Sequence, residues 1–133
     1  MTAFSLCLLP ALAWSAAFEQ PPAGHALVAE DDCGDPDAMP HVVRGKAYVF
    51  SREMVTAPLQ DRDIVFDNEF CMLRYEKLNP QASYKVDVVY VSEVADSRRQ
   101  SLEANGLLVH DTLPIPGRTP GRLIFDIPPA AYA

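Results

Sequence analysis

The stretch Tyr84–Val91 reads Tyr-Lys-Val-Asp-Val-Val-Tyr-Val and leaves the backbone little choice but to extend. Side chains alternate faces along a strand, so Tyr84, Val86, Val88 and Tyr90 share one side. Lys85, Asp87, Val89 and Val91 share the other, which changes from charged to apolar along its length. β-branched and aromatic residues fill six of the eight positions, so propensity agrees with pattern. The first face is expected to meet a core, with the strand central in an antiparallel sheet.

Turn chemistry divides the remaining chain into short segments. Twelve prolines in 133 residues, many of them after Asn79, disfavour long helices and favour strands joined by stiff loops. Ala26–Ala29 reads as an edge strand, and Val42–Phe50 as a strand, a turn at Arg44-Gly45-Lys46 and a second strand. Ser51–Asp63 reads as irregular. Ile64–Phe66 and Phe70–Lys77 are predicted strands flanking an Asp67-Asn68 turn. Asn105-Gly106 lies between Arg98–Ala104 and Leu107–Asp111. This is the strongest short hairpin signal, because both central residues of a type I′ turn need positive φ. A proline- and glycine-rich loop, Thr112–Arg122, precedes a last strand, Leu123–Ile127, stopped by Pro128-Pro129. The expectation is an all-β domain, an antiparallel β-sandwich or jelly roll, over residues 26–133.

The first seventeen residues are expected to stand outside that domain. Ala3–Ala17 is uncharged and apolar, with small residues at Ser15 and Ala17 before a potential cleavage point. That pattern reads as a secretory signal peptide, too short for a transmembrane span, with residues 18–25 as a linker. It lacks the usual Lys or Arg before the apolar run; either the true start lies upstream or the run is an uncleaved apolar element. The implied location is secreted or periplasmic. In that oxidising setting Cys33 and Cys71 are candidates for a disulfide closing a loop of ~40 residues, worth about 3–4 kcal/mol in the chain-entropy model. The alternative is a buried thiol at Cys71 and a free loop thiol at Cys33. A net charge of −7 argues against nucleic acid or an anionic membrane surface as partner.

The run Leu78-Asn79-Pro80-Gln81-Ala82-Ser83-Tyr84, leading into alternating valines, is followed by the Asn105-Gly106 hairpin and then Leu123-Ile124-Phe125-Asp126-Ile127-Pro128. Together these resemble galactose-binding-domain-like and malectin-like jelly rolls, which occur as non-catalytic modules of secreted carbohydrate-active proteins. The resemblance spans about Asp63 to Pro129 and carries fold-determining residues rather than a sugar site. It implies one more strand after Pro128, so the expected sandwich lacks its final strand. It also implies an exposed flat aromatic ring, yet the chain has no Trp beyond Trp14. Tyr48 and Tyr75 are the candidates for a stacking face, with core positions as the alternative.

Motifs for catalysis are not legible. There is no Gly-x-Ser-x-Gly and no phosphate-cradling glycine loop. His25, His41 and His110 are far apart in sequence, and His110, beside Asp111, reads as a half-exposed strand histidine rather than a catalytic base. Asp31, Asp32, Asp35 and Asp37 form an acidic loop, the candidate for a structural Ca²⁺, with a solvated turn as the alternative. No other cofactor is expected. Arg98, Arg99, Arg118 and Arg122 are the candidates for receiving an acidic polysaccharide through forked hydrogen bonds. The function expected is a non-catalytic accessory module, with glycan or a parent enzyme domain as partner. The alternatives are a fibronectin-like interaction sandwich and a fragment of a polysaccharide-degrading enzyme.

Overall fold

A computed structural model describes residues 21–50, 63–94 and 98–133. The chain divides into two units, Met1–Glu30 and Asp31–Ala133. The signal-peptide reading of residues 1–17 and the irregular reading of 51–62 lie outside the described residues. In the first unit, residues 21–30 form a turn, with the His25 amide donating to the Pro22 carbonyl at 2.9 Å, followed by extended chain. The edge strand expected at Ala26–Ala29 is not formed. This short run has no ladder partner among the described residues, and Leu27 and Val28 stay exposed.

The second unit is all-β. Its strands are β1 (Val42–Arg44), β2 (Lys46–Val49), β3 (Asp63–Phe66), β4 (Met72–Leu73), β5 (Lys85–Tyr90), β6 (Arg99–Ala104), β7 (Leu107–Pro114) and β8 (Gly121–Asp126). A 3₁₀ turn at Pro129–Ala131 follows. Four antiparallel ladders result: β1 with β4, β2 with β3, β5 with β8, and β6 with β7. All are two-stranded, so the described strands do not close a sandwich. Among the described residues no helix is long and apolar enough to cross a membrane.

The first two ladders make one bent ribbon. β1 and β2 are separated only by Gly45, at φ 130°, where a Cβ would lie 2.8 Å from Val65 Cγ2. On the partner side, the Asp67-Asn68 turn bulges out between β3 and β4, as the turn residues predict. Asp67 Oδ1 accepts from the amides of Glu69 (2.9 Å) and Phe70 (3.3 Å). Arg44 holds this bulge: its Nη2 lies 3.1 Å from Asp67 Oδ1 and 2.6 Å from Glu69 Oε2. Its guanidinium also covers the Phe70 ring at 3.9 Å. The strand expected over Phe70–Lys77 shrinks to Met72–Leu73, because the bulge consumes its start.

The Tyr84–Val91 segment does form a strand, β5, with Tyr84, Val86, Val88 and Tyr90 all half-buried. It pairs with β8 in unbroken register from Lys85↔Asp126 to Tyr90↔Gly121. It is not a central strand, since β8 is its one ladder partner among the described residues. The β6–β7 hairpin turns on Asn105 (φ 47°) and Gly106 (φ 77°), as expected. Asn105 Nδ2 donates to the Ala131 carbonyl at 2.6 Å, and the Tyr132 hydroxyl donates to the Ala82 carbonyl at 3.0 Å.

Two small apolar centres hold the ladders together. Phe50, 3% exposed, packs with Tyr48, Ile64 and Val91, tying the bent ribbon to the end of β5. His110 on β7 lies against Phe125 on β8 with ring centres 4.4 Å apart. Its Nδ1–H donates to the Asp111 carbonyl (2.7 Å), and its Nε2 accepts from the Tyr90 hydroxyl (2.9 Å). His110 is therefore buried and satisfied at both nitrogens, not half-exposed as its neighbours in sequence suggest.

The loop ahead of β1 is pressed onto β3 at Gly34, which has φ 114° and would place a Cβ 2.3 Å from the Ile64 amide nitrogen. Gly34→Ala is expected to cost at least about 3 kcal/mol, through steric and backbone strain together. Gly106→Ala, which meets open space and suffers only its positive φ, is expected to cost about 1–2 kcal/mol. Urea denaturation of both variants measures the difference, and equal losses would contradict the close approach at Gly34.

Candidate functional site

The bend of the ribbon brings three residues distant in sequence together. His41 lies just before β1 and Tyr75 just after β4; the Arg74 amide donates to the His41 carbonyl at 2.8 Å, prolonging the β1–β4 pairing. Between them sits Asp31, whose side chain is 2% exposed. Its Oδ1 accepts from the His41 amide at 2.8 Å. Its Oδ2 accepts from the Tyr75 hydroxyl at 2.8 Å and from His41 Nδ1–H at 3.0 Å. The imidazole and phenol rings lie 4.7 Å apart between centres, tilted by 34°.

A buried carboxylate with three donors is a rigid fixture, because loss of any one donor leaves desolvated charge behind. It fixes the His41 tautomer with the proton on Nδ1. Nε2 has no hydrogen-bond partner among the described residues. Burial, reinforced by the hydrogen bond to Asp31 and its charge, pushes the Tyr75 phenol up, so that this group stays a neutral donor.

His41 lines an open groove with Pro40, Val43, Arg74, Glu76 and Lys77, with a cavity volume of about 380 Å³. The groove offers a hydrogen-bonding nitrogen, two cations and one carboxylate beside Pro40 and Val43. A second groove of about 290 Å³, along Arg44, Lys46, Phe66 and the Asp67–Glu69 turn, is crossed by the Arg44 ion pairs and reads as architecture.

Neither groove includes the arginines singled out from sequence. Arg122 forks onto Asp87 across the β5–β8 ladder, with Nε 2.9 Å from Oδ1 and Nη2 2.5 Å from Oδ2. Arg98 pairs with Glu93, and Arg99 donates to the Thr112 carbonyl at 3.2 Å. Arg118 sits in a left-handed turn at φ 63°, its amide donating to Ser92 at 2.7 Å.

The acidic loop does not converge either. Asp31 turns inward to His41 and Tyr75, and Asp35 accepts from the Asp37 amide at 2.9 Å. Asp32 is exposed. Among the described residues no set of three or more His, Cys, Asp or Glu side chains is gathered to hold a metal ion. Of the two candidate stacking rings, Tyr48 packs edge-on to Phe50, and Tyr75 belongs to the site.

The Asp31–His41 partnership was not legible in sequence. Ten residues and an acidic turn separate the pair, and neither sits in a recognisable motif.

Beneath the site, Cys33 and Cys71 are free, half-buried thiols. Burial, with the charges of Asp31, Cys71 and Asp32 added, pushes Cys33 up to about 11. The folded state therefore holds this proton more tightly than the unfolded chain, and the sign is fixed. Stability is expected to fall as pH rises from about 9 towards 11. Cys33→Ser is expected to flatten that alkaline limb in melting curves. An unchanged limb, or fast alkylation of Cys33 at pH 8, would contradict the assignment.

No protein-family model, no curated protein and no solved structure matches this chain.

Proposed function

We propose that the chain is a non-catalytic glycan-binding module of an exported carbohydrate-active protein, and that its site is the groove beside His41. One observation carries this reading. The buried Asp31 pins His41 at Nδ1 and stacks it beside Tyr75, leaving the imidazole free to bond a ligand at Nε2. Hydroxyl-rich ligands are recognised by such preset polar groups beside a ring whose face can receive sugar C–H groups. The resemblance of the Leu78–Pro128 phrases to secreted carbohydrate-associated domains, and the apolar Ala3–Ala17 stretch, support the class of parent protein.

Affinity electrophoresis against a panel of neutral and acidic polysaccharides provides the test. Retardation by at least one glycan is expected. His41→Asn, which keeps a donor for Asp31 but removes the outward nitrogen, should weaken that binding about tenfold, as expected for one lost hydrogen bond. Free migration through every polysaccharide would refute the glycan reading. Undiminished retardation of the variant would move the site away from His41.

A further inference from the structure

The charge pattern around the groove narrows the ligand class. The chain carries net charge −7, and four of its nine described Lys and Arg side chains are paired with carboxylates. Arg44 pairs with Asp67 and Glu69, Lys85 with Asp126, Arg98 with Glu93, and Arg122 with Asp87. Arg74 and Lys77, like Lys46, Arg99 and Arg118, have no side-chain ion pair among the described residues, but these two alone among the five line the groove beside His41. In extended chain, positions three apart point to opposite sides. Lys77 escapes that rule by adopting φ 60°, a conformation costly for a residue with a Cβ, and both cations line one groove.

We propose that Arg74 and Lys77 receive the carboxylate of a uronic-acid residue, making the preferred ligand an acidic glycan rather than a neutral one. The inference rests on the glycan reading above and specifies its ligand. The planar guanidinium of Arg74 matches a carboxylate with two parallel donors, and Lys77 adds a point charge. Glu76, on the same groove, is acceptor-only, so it can take hydrogen bonds from sugar hydroxyls, a donor that simple anions do not supply. Tyr75, exposed and lying against His41 at the edge of the groove, supplies an aromatic ring for the pyranose. The site thus lies on the ribbon formed by β1 and β4, and not on the four late arginines.

The full chain should be run in affinity gels containing polygalacturonate, its methyl ester or poly-L-glutamate. Polygalacturonate is expected to retard it most, with the ester at least about tenfold weaker and poly-L-glutamate weaker still. Arg74→Gln and Lys77→Gly should each weaken polygalacturonate binding about tenfold and leave binding to the ester unchanged. Lys77→Gly should also melt no lower than the parent chain, since glycine accepts the left-handed backbone readily, so its binding loss cannot be a folding defect. Equal retardation by acid and ester would overturn the carboxylate seat while leaving the glycan groove standing. Equal retardation by poly-L-glutamate would assign the effect to charge alone and overturn it as well. No retardation by either sugar polymer would overturn the uronate seat, and the glycan reading falls with it only if the wider polysaccharide panel also leaves the chain unretarded.

Discussion

A carboxylate taken out of water has to be satisfied by its own chain, and Asp31 is the place where this protein meets that demand. Its two oxygens collect a backbone amide, a phenol and an imidazole from segments 10 and 44 residues away. Each donor depends on the others for position, so the contact behaves as a unit rather than as three separable bonds. It anchors the loop before β1 to the end of β4, and everything that lines the groove follows from that anchoring. The thiol of Cys33 feels the same carboxylate as a charge that opposes ionisation.

Elsewhere, electrostatics hold the ladders in register. The Arg122 fork onto Asp87 spans β5 and β8 diagonally, since Asp87 faces Ile124 and Arg122 faces Val89 in the ladder. Arg44 performs the corresponding task at the bulge between β3 and β4. These half-exposed pairs contribute little individually, but they specify which residues face one another where apolar packing is thin. Packing is indeed thin. Phe50 and Ala131 are the buried apolar residues among those described, while Val89, Ile124 and Leu108 remain in contact with water.

Local signals were readable wherever a residue type has one dominant physical use. Asn105-Gly106, Asp67-Asn68 and the period-two valines of β5 all formed what their chemistry predicts. Failures came where the outcome depends on a distant partner. Among the described residues Ala26–Ala29, though apolar, has no strand to pair with, and β5 has one neighbour where a central strand needs two. Arg98 and Arg122 looked like free cations because Glu93 and Asp87 could not be matched to them from spacing alone. His110 was misplaced for the same reason, since its burial depends on Phe125 and Tyr90 from two other strands.

The clasp between Asn105 and Ala131 has a chemical lifetime as well as a strength. Asparagine followed by glycine is a sequence whose side-chain amide is prone to hydrolysis, because the next backbone nitrogen can reach the side-chain carbonyl unhindered. Here that amide supplies the hydrogen held by the Ala131 carbonyl. Its conversion to a carboxylate would put an acceptor where a donor is needed, so two oxygens would face each other. The hydrogen bond that ties the hairpin to the final residues would be lost. Ageing of a single side chain would thereby loosen the hold of the Pro129–Ala131 turn on the hairpin.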